Sequence, residues 1–88
     1  MFVDAKLPTE LQQINLTGVD LLKRDLSRHN LTGANLTGAN LTGANLTGAS
    51  LTGANLTGAN LSGASLNGAL VPGIVFDFTC RWLRDSIY

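Results

Sequence analysis

The residues best suited to chemistry in this chain are few, and they do not converge. His29 is the one histidine and Cys80 the one cysteine of the 88 residues. Lys23, Arg24 and Arg28 stand beside His29, with Asp20 and Asp25 close by in sequence. A lone imidazole with no further ligand at metal-binding spacing holds no metal, and with no nucleophile set around it completes no catalytic group. One cysteine forms no intrachain disulfide or thiolate cluster, and Cys80 reads as a small core residue. The ten glycines recur at fixed spacing, so they are turn residues and not a phosphate loop. The chain therefore reads as no enzyme, with no cofactor, metal or small-molecule substrate implied. What Lys23, Arg24, Arg28 and His29 offer is charge. They form either a basic contact patch or, on the plainer reading, long side chains at an open end of the fold that bend out to water.

The elements that must position them are set by a repeat of five. Leu-Thr-Gly-Ala-Asn recurs from Leu31 to Asn60 with one exception, Ser50. Leucine holds one phase at every fifth residue from Leu11 to Leu66, and Val71 and Phe76 continue it. Two positions before that column lie Ile14, Val19, the alanines from Ala34 to Ala69, and Ile74; two positions after it lie all ten glycines. A step of five advances about 500° on a helix and flips faces on a flat strand, so neither element keeps the leucines together. A short extended segment followed by a corner does. Ala and Leu, two apart, then share the inner side, and Asn between them faces out. Leu-Thr-Gly-Ala becomes a type II turn with Gly at the position that needs φ > 0 and Thr exposed at the tip. Hydrogen bonds then run between successive coils about 4.8 Å apart, and stability comes from stacking.

This Ala-(Asn/Asp)-Leu-x-Gly pattern closely resembles the pentapeptide-repeat family, over about Ile14 to Asp77. The resemblance implies an all-β fold: a right-handed quadrilateral β-helix of four pentads and 20 residues per coil. Leu16, Leu36, Leu56 and Phe76 would then stack in one column, and Leu21, Leu41 and Leu61 in the next. The pentads centred on residues 16 to 76 make about three coils, near the minimum for a stable repeat stack. The expected division is an N-terminal cap over residues 1–13, the β-helix over 14–77, and a C-terminal cap or helix over 78–88.

Both ends depart from the repeat. Arg24 and His29 occupy inward positions held elsewhere by small or aliphatic residues, and Lys23 and Arg28 replace corner glycines. Leu7-Pro8-Thr9-Glu10-Leu11 reads as a turn or short helix closing the N-terminal end. Phe76, Phe78, Trp82 and Tyr88 gather nearly all the aromatics at the other, with Trp82, Leu83 and Ile87 sharing one face if helical. That cluster is a lid on the last coil or, through Phe78, Trp82 and Tyr88, a homodimer contact of the kind the family resemblance implies.

Six Lys/Arg balance six Asp/Glu, and no charged residue or histidine lies between Asn30 and Phe76. Nothing steers the chain to nucleic acid or to a membrane surface. Residues 1–6 lack the features of a secretory signal, no apolar run has bilayer length, and seven Asn-Leu-Thr/Ser acceptor patterns argue against a eukaryotic secretory route. The expectation is a soluble cytoplasmic, bacterial protein. Its expected function is a scaffold presenting Asn and Thr ladders to an unidentified protein partner. The alternatives are protection of DNA gyrase by DNA mimicry, as in the quinolone-resistance members of the family, and ice binding by the regular polar rows.

Overall fold

The computed structural model describes residues 9–75 and the backbone of Arg81–Trp82. Its organising feature is a parallel ladder in which each residue pairs with one 20 positions later. Glu10, Asn30, Ser50 and Leu70 lie in one register, and Asn15, Asn35, Asn55 and Val75 in the next. Asp20, Asn40 and Asn60 follow, then Asp25, Asn45 and Ser65. Twenty residues hold four pentads, so each circuit has four short sides and four corners.

The corners are turns closed by a bond from the fourth residue's N–H to the first residue's carbonyl, as from Ala44 to Leu41 at 2.9 Å. The third residue is left-handed throughout: Gly43 has φ +69° and Gly63 +70°. Only one extended residue per side is left to pair with its neighbours above and below. This is why, among the described residues, the ladder consists of single bridges, with two-residue strands only at β1 (Asn60–Leu61) and β2 (Arg81–Trp82).

The inner side of the pentads is apolar except at the positions of Arg24 and His29. Leu11 through Leu66 line the axis, and Ala34 through Ala64 fill the remaining space, all buried. Ile14, Val19, Ala69 and Ile74 pack half-buried against this core. A large leucine beside a small alanine lets facing sides interdigitate in a narrow tube.

The boundaries differ from those expected from sequence. The ladder reaches back to Glu10, and Leu11 is only 2% exposed. Residues 10–13 therefore belong to the stack and form no helical cap. At the other end Arg81–Trp82 is strand and not helix. It pairs in parallel with Asn60–Leu61, Arg81 against Asn60 and Trp82 against Leu61. That offset is 21, so one residue has been added between the Val75 and Arg81 registers. Phe76 and Phe78, like residues 1–8 and 83–88, lie outside the described residues.

Three substitutions test this arrangement by denaturant unfolding. Leu41→Ala leaves a cavity in the axial column and costs about 2–5 kcal/mol. Gly63→Ala meets no atom closer than 3.9 Å, so its cost of about 1–2 kcal/mol is that of the left-handed backbone alone. Thr42→Ser keeps the hydroxyl and stays within about 0.5 kcal/mol of the parent. Equal losses for all three would contradict the inward and outward assignment.

Candidate functional site

The outer surface is built by the pentad's two polar residues acting on each other. Asn35 Oδ1 accepts the backbone N–H of Thr37 at 3.1 Å and the Thr37 hydroxyl at 2.6 Å. Asn15 with Thr17 and Asn55 with Thr57 repeat this geometry on the same face, as do Asn40 with Thr42 on the next. An Asn side chain bonding the chain two residues on is a local Asx turn, which fixes the entry to each corner. The threonine hydroxyl is thus turned back on its own pentad, and Thr32, Thr37, Thr42, Thr52 and Thr57 are half-buried, where sequence reading placed exposed tips. Where Ser replaces Asn the bond runs along the stack instead: Thr32 Oγ1 to Ser50 Oγ at 3.0 Å and Thr47 Oγ1 to Ser65 Oγ at 3.2 Å.

The four sequence-predicted basic residues do not share one exposed surface. Lys23 and Arg28 are exposed at corners, in the left-handed conformation at φ +56° and +59°. Their stems lie against the circuit above: the Lys23 and Arg28 Cγ atoms stand 3.1 and 3.3 Å from where a Cβ on Gly43 or Gly48 would sit. Arg24, at a repeat position that is inward in later circuits, is half-buried. His29 is buried, 6% exposed, so it does not bend out to water. Its Nδ1 lies 2.9 Å from the Ser27 carbonyl. A carbonyl only accepts, so Nδ1 carries the hydrogen.

Sequence reading missed Gln13, a third left-handed non-glycine corner at φ +56°. The signal was available: Leu11 is in the leucine phase, which places Gln13 at a corner.

The ladder also has a direction. From residues 30–49, eight N–H groups, those of the Leu and Gly positions, donate to the following circuit; Leu31 to Ser50 and Gly33 to Thr52 are typical. Only four bonds run the other way across that junction, from Asn55, Asn60, Ser65 and Leu70 to the alanine carbonyls. Each circuit is therefore rich in donors on its C-terminal side and in carbonyls on its N-terminal side. Ser27 O faces the N-terminal side of residues 10–29, where a preceding circuit would supply the N–H. The imidazole of His29 supplies it instead.

Among the described residues no group of His, Cys, Asp and Glu is placed to hold a metal ion, and no helix is long and apolar enough to cross a membrane. Of the C-terminal aromatics only the Trp82 backbone is described, in register with Leu61. In the last described circuit Leu70, Val71 and Val75 are exposed, with Leu70 at 59% and Val75 at 52%.

Comparison with known proteins gives a consistent result. The family model for pentapeptide repeats matches in eight copies, over residues 9–48 and 30–68. A pentapeptide repeat protein of the cyanobacterium Cyanothece 51142, known as Rfr23, is similar in structure at 32% identity and a TM-score of 0.55. The match covers 91% of this chain and 68% of that one. A pentapeptide repeat protein from the Arabidopsis thaliana thylakoid lumen is similar at 27% identity and a TM-score of 0.52, over 85% of this chain and 59% of that one. No curated protein matches the chain. The fold of these relatives is the right-handed quadrilateral β-helix that the 20-residue register describes.

The Asn–Thr pair is testable by a double-mutant cycle on Asn35→Ala and Thr37→Val. Asn35→Ala removes both bonds to Oδ1 and is expected to cost about 1–2 kcal/mol. A coupling energy of about 0.5 kcal/mol or more with Thr37→Val is expected. Strict additivity would mean that the hydroxyl bond contributes nothing.

Proposed function

We propose that this chain, which belongs to the pentapeptide-repeat family, works as a non-enzymatic scaffold: a solenoid of about three coils whose lateral faces carry Asn and Thr ladders for a protein partner. One observation carries the reading. The face through Asn15, Asn35 and Asn55 repeats the same Asn–Thr bond three times, at 2.7, 2.6 and 2.7 Å, on a backbone fixed by the inter-circuit ladder. Each Asn Oδ1 is occupied by two donors. The Asn amide hydrogens and the threonine lone pairs are what remains for a partner. Because these groups are ordered before binding, a partner with matching spacing loses little extra conformational entropy in meeting them. The absence of charge between Asn30 and Phe76 favours recognition by hydrogen bonding and shape over electrostatic steering.

Neither alternative gains an observation of this kind. Gyrase protection by DNA mimicry calls for a negative surface, and residues 30–75 carry no carboxylate. Ice binding calls for outward hydroxyl rows, and these hydroxyls are spent on Asn Oδ1. Gyrase supercoiling and thermal hysteresis assays are expected to show no effect.

At the C-terminal end we propose the homodimer contact through Phe78, Trp82 and Tyr88. The exposed Leu70, Val71 and Val75 supply an apolar surround. Two C-terminal ends are both donor-rich, so such a contact rests on side-chain packing and not on strand addition. Light scattering over a concentration series is expected to give a dimer mass that Trp82→Ala lowers to the monomer. An unchanged mass in a folded variant overturns the contact.

The lateral-face reading is tested by placing charge on one face at a time. Asn35→Lys with Asn55→Lys alters one face, and Asn40→Lys with Asn60→Lys its neighbour. For a partner isolated on the parent protein, one pair is expected to weaken binding tenfold or more while the other leaves it unchanged. Unchanged affinity for every face variant would remove the lateral faces as the binding surface.

A further inference from the structure

The chain has eight asparagines, and the fold treats one of them differently from the rest. Every asparagine from Asn15 to Asn60 sits on a side of the circuit, where its Oδ1 accepts the backbone N–H two residues on at 3.0–3.1 Å. Each of these is followed by a leucine. The leucine N–H is held in its turn by the next circuit, as from Leu36 to Asn55 and from Leu46 to Ser65, both at 2.7 Å. The carboxamide is thus tied down, and the nitrogen beside it is committed to the ladder.

Asn67 differs in place, neighbour and bonding. It stands at a corner, where the circuit 20 residues earlier has Thr47, and it is followed by Gly68 in the chain's one Asn-Gly pair. Both residues are exposed. The N–H two residues on belongs to Ala69 and is taken by the Leu66 carbonyl at 3.0 Å, so the lock that holds the other asparagines is already spent on the turn. Among the described residues the Asn67 carboxamide makes no hydrogen bond. Gly68 brings no side chain to crowd its own nitrogen, and a Cβ built on it meets only the Gly48 nitrogen, at 3.9 Å. An unhindered backbone nitrogen next to an untied carboxamide is the arrangement that closes to a succinimide.

We propose that the Asn67-Gly68 corner is a site of spontaneous deamidation, at which the chain acquires an aspartyl or isoaspartyl residue with age. The Gly68 nitrogen, on losing its proton, attacks Asn67 Cγ; the new C–N bond closes a five-membered ring, and the carboxamide nitrogen leaves as ammonia. Water then opens the ring at either carbonyl. Opening at Cγ gives aspartate on an unchanged backbone. Opening at the main-chain carbonyl leaves Gly68 joined through Cγ and frees the α-carboxylate, which is a substrate for enzymatic carboxyl methylation. Either product places a carboxylate in residues 30–75, which otherwise carry no charge. The isoaspartyl product also lengthens the main chain by one atom at a corner and alters the carbonyl that accepts the Gly48 N–H at 2.9 Å. The inference is independent of what the lateral faces bind.

The test is timed incubation of the full, folded chain, followed by peptide mapping by mass spectrometry. Conversion of Asn67 to the acid is expected to run about tenfold or more faster than that of Asn35 or Asn45, whose surroundings must open first. Its rate is expected to rise with pH, since the attacking nitrogen must shed its proton. Both acids are expected, with the isoaspartyl form read by methyl transfer from labelled S-adenosylmethionine in the presence of a purified isoaspartyl carboxyl methyltransferase. Gly68→Ala is expected to slow the conversion about tenfold or more, because the added Cβ crowds the nitrogen. Asn67→Thr, which restores the residue of the corner one circuit earlier, is expected to abolish the methyl incorporation that ageing produces. Conversion of Asn67 no faster than that of Asn35 or Asn45 overturns the proposal. Aspartate as the sole product overturns it too, because ring opening yields both acids. If Gly68→Ala does not fold, Asn67→Thr decides: methyl incorporation still at the parent's level also overturns it.

Discussion

Everything in this molecule depends on a left-handed corner recurring every fifth residue. An L-residue pays for that conformation and glycine does not, so the glycine column is the chain's geometric constraint and the leucine column its consequence. Four such corners return the chain to its own register after 20 residues, which brings Asn35 over Asn15 and Asn55 over Asn35. Only then do the leucines find one another along an axis and the backbone N–H groups find carbonyls in the next circuit. No pentad is stable alone; the constraint is local and the stabilisation is collective.

The same corners fix the direction of the hydrogen bonds. Both the Leu and the Gly N–H point to the following circuit, and only the Asn-position N–H points back. The stack is thus polar along its axis even though its middle carries no charged side chain. The charged residues of the described stack, three carboxylates and three cations, all fall in residues 10–29. Left-handed non-glycine corners at Gln13, Lys23 and Arg28 fall there as well, and their stems cover the glycines of the circuit above.

Spacing made the inner columns and the corners legible, because a period of five admits no regular helix or strand. It did not place the ends. Leu11 was in phase, yet Gln13 at its corner hid the first turn of the ladder and moved the expected boundary to Ile14. At the far end a single extra residue puts Trp82 in register with Leu61 at an offset of 21, and a count in fives passes over it. The burial of His29 and the turning of threonine onto Asn were not readable from residue type. Both depend on neighbours that only the closed circuit brings together, the Ser27 carbonyl in one case and the Asx turn in the other. The role of the faces is the least legible of all, since identical rungs mark no one position as an anchor.

Amide hydrogen exchange on protein labelled by residue type tests the ladder most directly, because repeated sequence then needs no individual assignment. Leucine and glycine N–H groups within the stack are held by backbone bonds between circuits, as from Leu36 to Asn55 at 2.7 Å and Gly38 to Thr57 at 2.8 Å. Threonine N–H groups are held only by a surface Asn side chain, as in Thr37 to Asn35 at 3.1 Å. The account predicts slow exchange for leucine and glycine and exchange about 100-fold faster or more for threonine. Threonine amides as protected as leucine, or glycine amides as open as threonine, would contradict the 20-residue ladder.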